Sequence, residues 1–144
     1  MSIAKVLLVD DETGFLDIMR KRLEARDLTV LTAENGTLCL ELLEKETDIE
    51  VIILDVKMPG MDGIETLTKI RQLTPLAEVI MLTGHATVET AIDGMKQGAF
   101  DYLMKPCDID NLLDLVKKAK IKRDEHQEKI IQAHMKEITS RMSG

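Results

Sequence analysis

Three short, almost unbroken runs of Val, Ile and Leu constrain this chain more than anything else in it: "KVLLV" from Lys5, "VIIL" from Val51 and "VIML" from Val79. A strand wetted on one face alternates apolar and polar residues, whereas one covered on both faces is apolar throughout, as in parallel sheets. Two weaker runs complete a series of five predicted strands at 4–10, 28–33, 50–55, 78–82 and 99–104. Amphipathic segments lie between them. Phe15, Leu16, Met19 and Leu23 share one helical face, as do Cys39, Leu42 and Leu43 in the second helix, Ile64, Leu67 and Ile70 in the third, and Val88, Ala91, Ile92 and Met95 in the fourth. The joins carry turn formers: Asn35-Gly36, the stretch "PGMDG", Thr74-Pro75 and Gln97-Gly98. Strand–helix units joined this tightly imply right-handed crossovers. The expected fold is α/β, a doubly wound five-stranded parallel sheet with five helices.

Composition narrows the function. A chain of 144 residues suits one ordinary domain. With aromatic residues at only 2%, the core must be built from Ile, Leu, Val and Met. A net charge of -7 argues against a nucleic-acid surface, which needs a basic face. Cys39 and Cys107 have no CxxC spacing and read as reduced thiols. The first residues show no charged lead or cleavage site, and no segment approaches the roughly 18 apolar residues of a membrane span. A soluble, cytoplasmic protein is expected.

The last helix departs from the pattern. Asp108 is a suitable N-cap, and helical periodicity continues to about Thr139. Ile109, Leu112, Leu113 and Val116 form a core stripe. Lys117, Lys118, Lys120, Lys122 and Arg123 follow, with Asp124, Glu125 and Glu128 close behind, a mixture that reads as a solvated face. Ile131, Met135, Ile138 and Met142 are then spaced four, three, four, the seam spacing of paired helices. Two expectations stand for this segment: a solvated tail or linker, and a homodimer contact.

In a parallel sheet, the residues that end the strands meet along one edge, where doubly wound folds bind ligands. Asp10 and Asp11 end the first strand, Asp55 the third and Thr83 the fourth, and Lys105 follows the fifth. Taken singly, each has an ordinary use: a helix cap, a turn residue, a hydroxyl or a surface lysine. Together, with the first and third strands adjacent, they bring three carboxylates into one pocket, where like charges oppose one another's ionisation. A hard divalent cation resolves that conflict, and Mg²⁺ needs only a few protein oxygens besides water.

The stretches "VLLVDDE" (6–12), "VIILDVKMPGMDG" (51–63), "VIMLTGHA" (79–86) and "FDYLMKP" (100–106) resemble, in order and separation, a response-regulator receiver domain. The resemblance covers about residues 3–120. It implies a flavodoxin-like sheet in the order 2-1-3-4-5, a receiver domain at 1–120 and a helical extension at 121–144. It also implies that Asp55 takes a phosphoryl group from a sensor histidine kinase or phosphotransfer protein. Asp11 would bind Mg²⁺ directly and Asp10 through water, alongside Asp55 and the Lys57 carbonyl. Lys105 would contact a phosphoryl oxygen, Thr83 would hydrogen-bond another, and Tyr102 would follow as an aromatic switch. Lys105-Pro106 would be cis. Lys57 and His85 occupy the two positions at which the family tunes phosphate lifetime, with no direction assigned.

By that resemblance the protein is a signalling acceptor, not an enzyme, with an output face on the fourth helix, fifth strand and fifth helix. Its wording is closest to receivers attached to sigma-54-type activators, so a receiver segment of a larger transcriptional activator is the main alternative. Two rivals are a receiver-like scaffold that is never phosphorylated and a haloacid-dehalogenase-like phosphatase. The phosphatase would need an acid two residues after Asp55, where Lys57 stands.

Overall fold

The computed structural model describes residues 2–56, 62–84 and 87–143. The elements follow in strict alternation: β1 (Lys5–Val9), α1 (Thr13–Glu24), β2 (Thr29–Ala33), α2 (Gly36–Lys45), β3 (Val51–Leu54), α3 (Gly63–Leu73), β4 (Glu78–Thr83), α4 (Val88–Lys96), β5 (Asp101–Met104) and α5 (Ile109–Ser143). All neighbouring strands are parallel, in the order β2-β1-β3-β4-β5. Register aligns their ends: Val9 lies opposite both Ala33 and Leu54, Leu54 opposite Met81, and Thr83 opposite Met104.

The reason the central strands are apolar at every position is now visible. Leu7, Val9, Ile52, Leu54, Val79 and Met81 point to one side and pack with Cys39, Leu43, Leu67 and Ile70 of α2 and α3. Val6, Leu8, Val51, Ile53, Ile80 and Leu82 point to the other and pack with Leu16, Met19 and Leu23 of α1 and with Leu112 and Val116 of α5. Each buried side chain of this size contributes about 1.5–3 kcal/mol through removal from water, which opposes the entropy lost on ordering the chain.

Two expectations need correction. The apolar face of α4 points outward: Val88, Ile92 and Met95 are 77%, 48% and 47% exposed. The buried residue of this helix is Gly94, where a Cβ would stand 2.2 Å from the Met81 sulfur. So α4 docks backbone-first through a glycine, and its larger apolar side chains are left at the surface. The fifth strand also starts later than expected, at Asp101, after Gly98 turns the chain at a φ of +101°.

The basic stretch of α5 is not a freely solvated face. Lys120 pairs with Glu50 at 2.9 Å and Asp124 at 2.8 Å, and Arg123 lies 3.7 Å from Glu50. Lys122 lies 3.8 Å from buried Glu78 and 5.5 Å above the Phe100 ring. Glu50 also accepts the Lys5 backbone N–H at 2.9 Å. Lys120, Lys122 and Arg123 thus fasten α5 to the entrances of β1, β3, β4 and β5. Beyond them the helix stands clear. Residues 128–142 are exposed throughout, Ile131, Met135, Ile138 and Met142 among them, and the helix runs past Thr139 to Ser143. Among the described residues, no helix is long and apolar enough to cross a membrane.

Candidate functional site

The site lies where β1 and β3 end side by side. The Asp55 N–H donates to the Val9 carbonyl at 3.0 Å, and the Asp10 N–H to the Ala33 carbonyl at 3.1 Å. The ladder thereby extends one residue past each strand, so both carboxylates project from backbone held on the neighbouring strand. Gly63, at the start of α3, presses on the exit of β3. Its N–H donates to the Val56 carbonyl at 2.6 Å, and a Cβ there would fall 2.3 Å from the Val56 Cα. Only glycine permits that approach, which presses the start of α3 against the exit of β3. Asp62 caps α3 by accepting the Glu65 N–H at 2.8 Å.

Asp10 and Asp55 are 1% and 3% exposed, whereas Asp11 faces solvent. Carboxylate oxygens of the three lie within 4.8 Å of one another. Lys105 enters from the loop after β5, where its own N–H donates to the Thr83 carbonyl at 2.9 Å. Its ammonium contacts Asp10 directly and lies 3.6 Å from Glu12 and 3.7 Å from Asp55. The Lys105-Pro106 peptide is cis.

The protonation preferences show how unbalanced this pocket is. Burial pushes the Asp10 carboxyl above its ordinary value, and the Asp55 charge adds to the effect, against the lowering by Lys105 and the Glu12 N–H. Burial alone would depress the Lys105 ammonium, but its hydrogen bond to Asp10 and the charges of Asp10, Asp55 and Glu12 outweigh burial and raise it. An ion pair ordinarily lowers the acid while raising the base. Here both rise, because one ammonium does not offset the burial and crowding of the carboxylates. An all-oxygen donor set with surplus negative charge fits a hard divalent cation.

Thr83 is fully buried at the end of β4, one strand from Asp55. Tyr102 lies half-buried on β5, with its hydroxyl 3.4 Å from the Thr90 hydroxyl in the first turn of α4. That turn is closed by a capping box between Thr87 and Thr90. The Lys57 carbonyl and His85 lie outside the described residues. Sequence reasoning placed Asp10, Asp11, Asp55 and Lys105 at one edge, and they meet there. It missed Glu12 and Phe15. The ring of Phe15 lies beneath the Lys105 ammonium, 4.1 Å from nitrogen to centroid. Neither cysteine joins the site, and burial pushes the Cys39 thiol up to about 12, leaving it unreactive.

A response regulator receiver domain model matches residues 6–117. The DNA-binding transcriptional regulator NtrC of Escherichia coli is 41% identical over 114 residues, which cover 79% of this chain and 24% of that protein. A putative NtrX-like response regulator of Rickettsia bellii is 38% identical over 130 residues, covering 86% of this chain and 27% of that one. The chain thus spans about a quarter of the length of these relatives. Among solved structures, a response regulator receiver domain protein from Clostridium thermocellum superposes with a TM-score of 0.80 at 38% identity, covering 84% of this chain and 97% of its own. The two-sided sheet, the acidic edge and these likenesses agree, and the chain belongs to the response regulator receiver domain family.

Proposed function

We propose that Asp55 accepts a phosphoryl group from the phosphohistidine of a sensor histidine kinase or phosphotransfer protein, in a Mg²⁺-dependent reaction that switches a protein-binding face. The observation carrying this reading is the placement of Asp55. It is almost fully buried at a strand end, shares its pocket with Asp10 and Asp11, and has the Lys105 ammonium 3.7 Å away. In the reaction an Asp55 oxygen attacks phosphorus and the phosphorus–nitrogen bond breaks. Its electron pair stays on the imidazole, and an acyl phosphate forms. Such transfer needs in-line positioning and neutralised phosphoryl oxygens more than covalent help. Asp10, Asp11, Asp55 and the Lys57 carbonyl would hold Mg²⁺, which supplies charge neutralisation when bound. Lys105 supplies a second positive charge from the loop after β5. The protein is an acceptor in this reading, and no turnover on other phosphate esters is expected of it.

The signal would travel through Thr83 and Tyr102. A phosphoryl oxygen that takes a hydrogen bond from Thr83 draws the end of β4 inward. Tyr102 then exchanges its contact with Thr90 for a more buried position. That exchange loosens the first turn of α4, beside the exposed Val88, Ile92, Met95 and Met104. A bias of a few kcal/mol suffices to move such a two-state element most of the way. Beryllofluoride, which mimics the phosphoryl group, should raise the melting midpoint of the parent with Mg²⁺ and leave Asp55→Asn unchanged. An unshifted parent would sink this reading in favour of an unphosphorylated scaffold.

The relatives named as transcriptional regulators extend well beyond this chain, so the second reading is a cytoplasmic receiver segment of a larger activator. The exposed 4-3-4 apolar seam of α5 favours it, with residues 121–144 as a connecting helix that pairs with a second copy. Sedimentation of the parent and of Ile131→Glu with Met135→Glu checks that contact. A parent that stays monomeric at high micromolar concentration removes the homodimer.

A further inference from the structure

We infer that Phe15 is a positioning residue for phosphoryl transfer, its ring holding the Lys105 ammonium inside the pocket, on Asp10 and within reach of Asp55. The inference rests on the reading of Asp55 as the acceptor and adds a residue to its machinery. Lys105 carries a compact charge on a flexible four-carbon stem, and such a charge settles wherever the local field is deepest. Three carboxylates compete for it here: Asp10 in contact, Glu12 at 3.6 Å and Asp55 at 3.7 Å. With the ring beside it, the ammonium rests on Asp10, 3.7 Å from Asp55. Charge alone would let it be drawn out to exposed Glu12, a position that does not serve an oxygen carried on Asp55.

The Phe15 ring adds attraction of a different kind. It lies 4.1 Å from the ammonium nitrogen, within the range at which an aromatic face draws a cation. An aromatic face offers no oxygen, so it neither competes for a divalent cation nor repels a phosphoryl group. It occupies no particular N–H either, which leaves the three donors of the ammonium for carboxylate or phosphoryl oxygens. A leucine would fill the volume without attracting the cation. A carboxylate would attract it and also repel the incoming phosphoryl group. An aromatic residue alone satisfies both requirements.

The position of Phe15 suits the role. It sits in the first turn of α1, three residues after Glu12, and only partly enters the core packed by Leu16, Met19 and Leu23. Placed with the core stripe by its spacing, it instead divides its surface between that core and the lysine.

The experiment uses the full chain with Mg²⁺ and acetyl phosphate, following the rate of Asp55 phosphorylation. Phe15→Leu should slow it about three- to tenfold, Phe15→Tyr should restore it, and the Mg²⁺ half-saturation should stay put in both. Mono-, di- and trifluorophenylalanine at position 15 keep the shape while draining the ring face, so the rate should fall stepwise along that series. A role confined to packing would leave the series flat. As a readout independent of activity, the Lys105 ε-methylene protons should show an upfield ring-current shift in the metal-free parent that Phe15→Leu abolishes. A flat fluorine series, or an unshifted ε-methylene, overturns the inference while leaving Asp55 as the acceptor. A parent that takes no phosphoryl group at Asp55 overturns both.

Discussion

Three carboxylates, from Asp10, Glu12 and Asp55, surround one ammonium in this pocket, Asp11 lies close to two of them, and Asp10 and Asp55 are nearly dry. At an effective dielectric of about 20, two charges 4 Å apart interact by about 4 kcal/mol, so the surplus repulsion is appreciable even after Lys105 offsets part of it. Asp55→Asn removes one charge and keeps the shape. Without Mg²⁺ it should be at least as stable as the parent, by roughly 1 kcal/mol in urea unfolding, and unable to form the acyl phosphate. A substituted protein clearly less stable than the parent would show that Asp55 supports the fold. At this scale the sequence exposed the acidic residues and Lys105, because strand ends in a parallel sheet must meet. It hid Glu12 and Phe15. Their roles depend on where the Lys105 stem lies after crossing about ninety positions of chain, which no local pattern records.

Among the elements, α5 shows best how far periodicity reaches. Its unusual length and core stripe follow from spacing: of the predicted stripe Leu112 and Val116 are fully buried and Ile109 and Leu113 partly so, while Ala119 extends it. Its basic stretch could not be read, since the acids it meets, Glu50 and Glu78, lie far back at strand entrances. The outward turn of α4 was equally hidden, because Gly94 decides it through contact with Met81. The α5 fastening predicts that Glu50→Gln raises amide hydrogen exchange across residues 117–127 by about tenfold, corresponding to about 1–2 kcal/mol for partly buried charged hydrogen bonds. Unchanged exchange would mean that α5 is held by Leu112, Val116 and Ala119 alone. Acid should act on the same joint. Burial raises the Asp124 carboxyl, but hydrogen bonds from Lys120 and Arg123 outweigh it and hold the group below its ordinary 3.8. Its contribution is therefore complete above that pH and is lost as the pH falls further. Protection of the joint should weaken there first.

For the molecule as a whole, the sheet separates the acidic pocket from the ion pairs that fasten α5. The C-terminal edge of the strands carries Asp10, Asp55, Thr83 and Lys105, and the opposite edge carries the ion pairs that launch α5. Between them run β4 and β5, each touching both ends: Glu78 and Phe100 meet Lys122 at the entrances, and Thr83 meets Lys105 at the exits. In the proposed reading, the rigid, apolar, two-sided sheet holds the acceptor and α4, packed against Met81 through Gly94, responds. The most direct measurement is to phosphorylate the chain with acetyl phosphate, reduce the acyl phosphate chemically and map the trapped residue by mass, with Mg²⁺ and with chelator. Label confined to Asp55 and dependent on Mg²⁺ is the predicted result. Label at another residue, or equal labelling under chelation, would contradict the acidic edge as the seat of the chemistry.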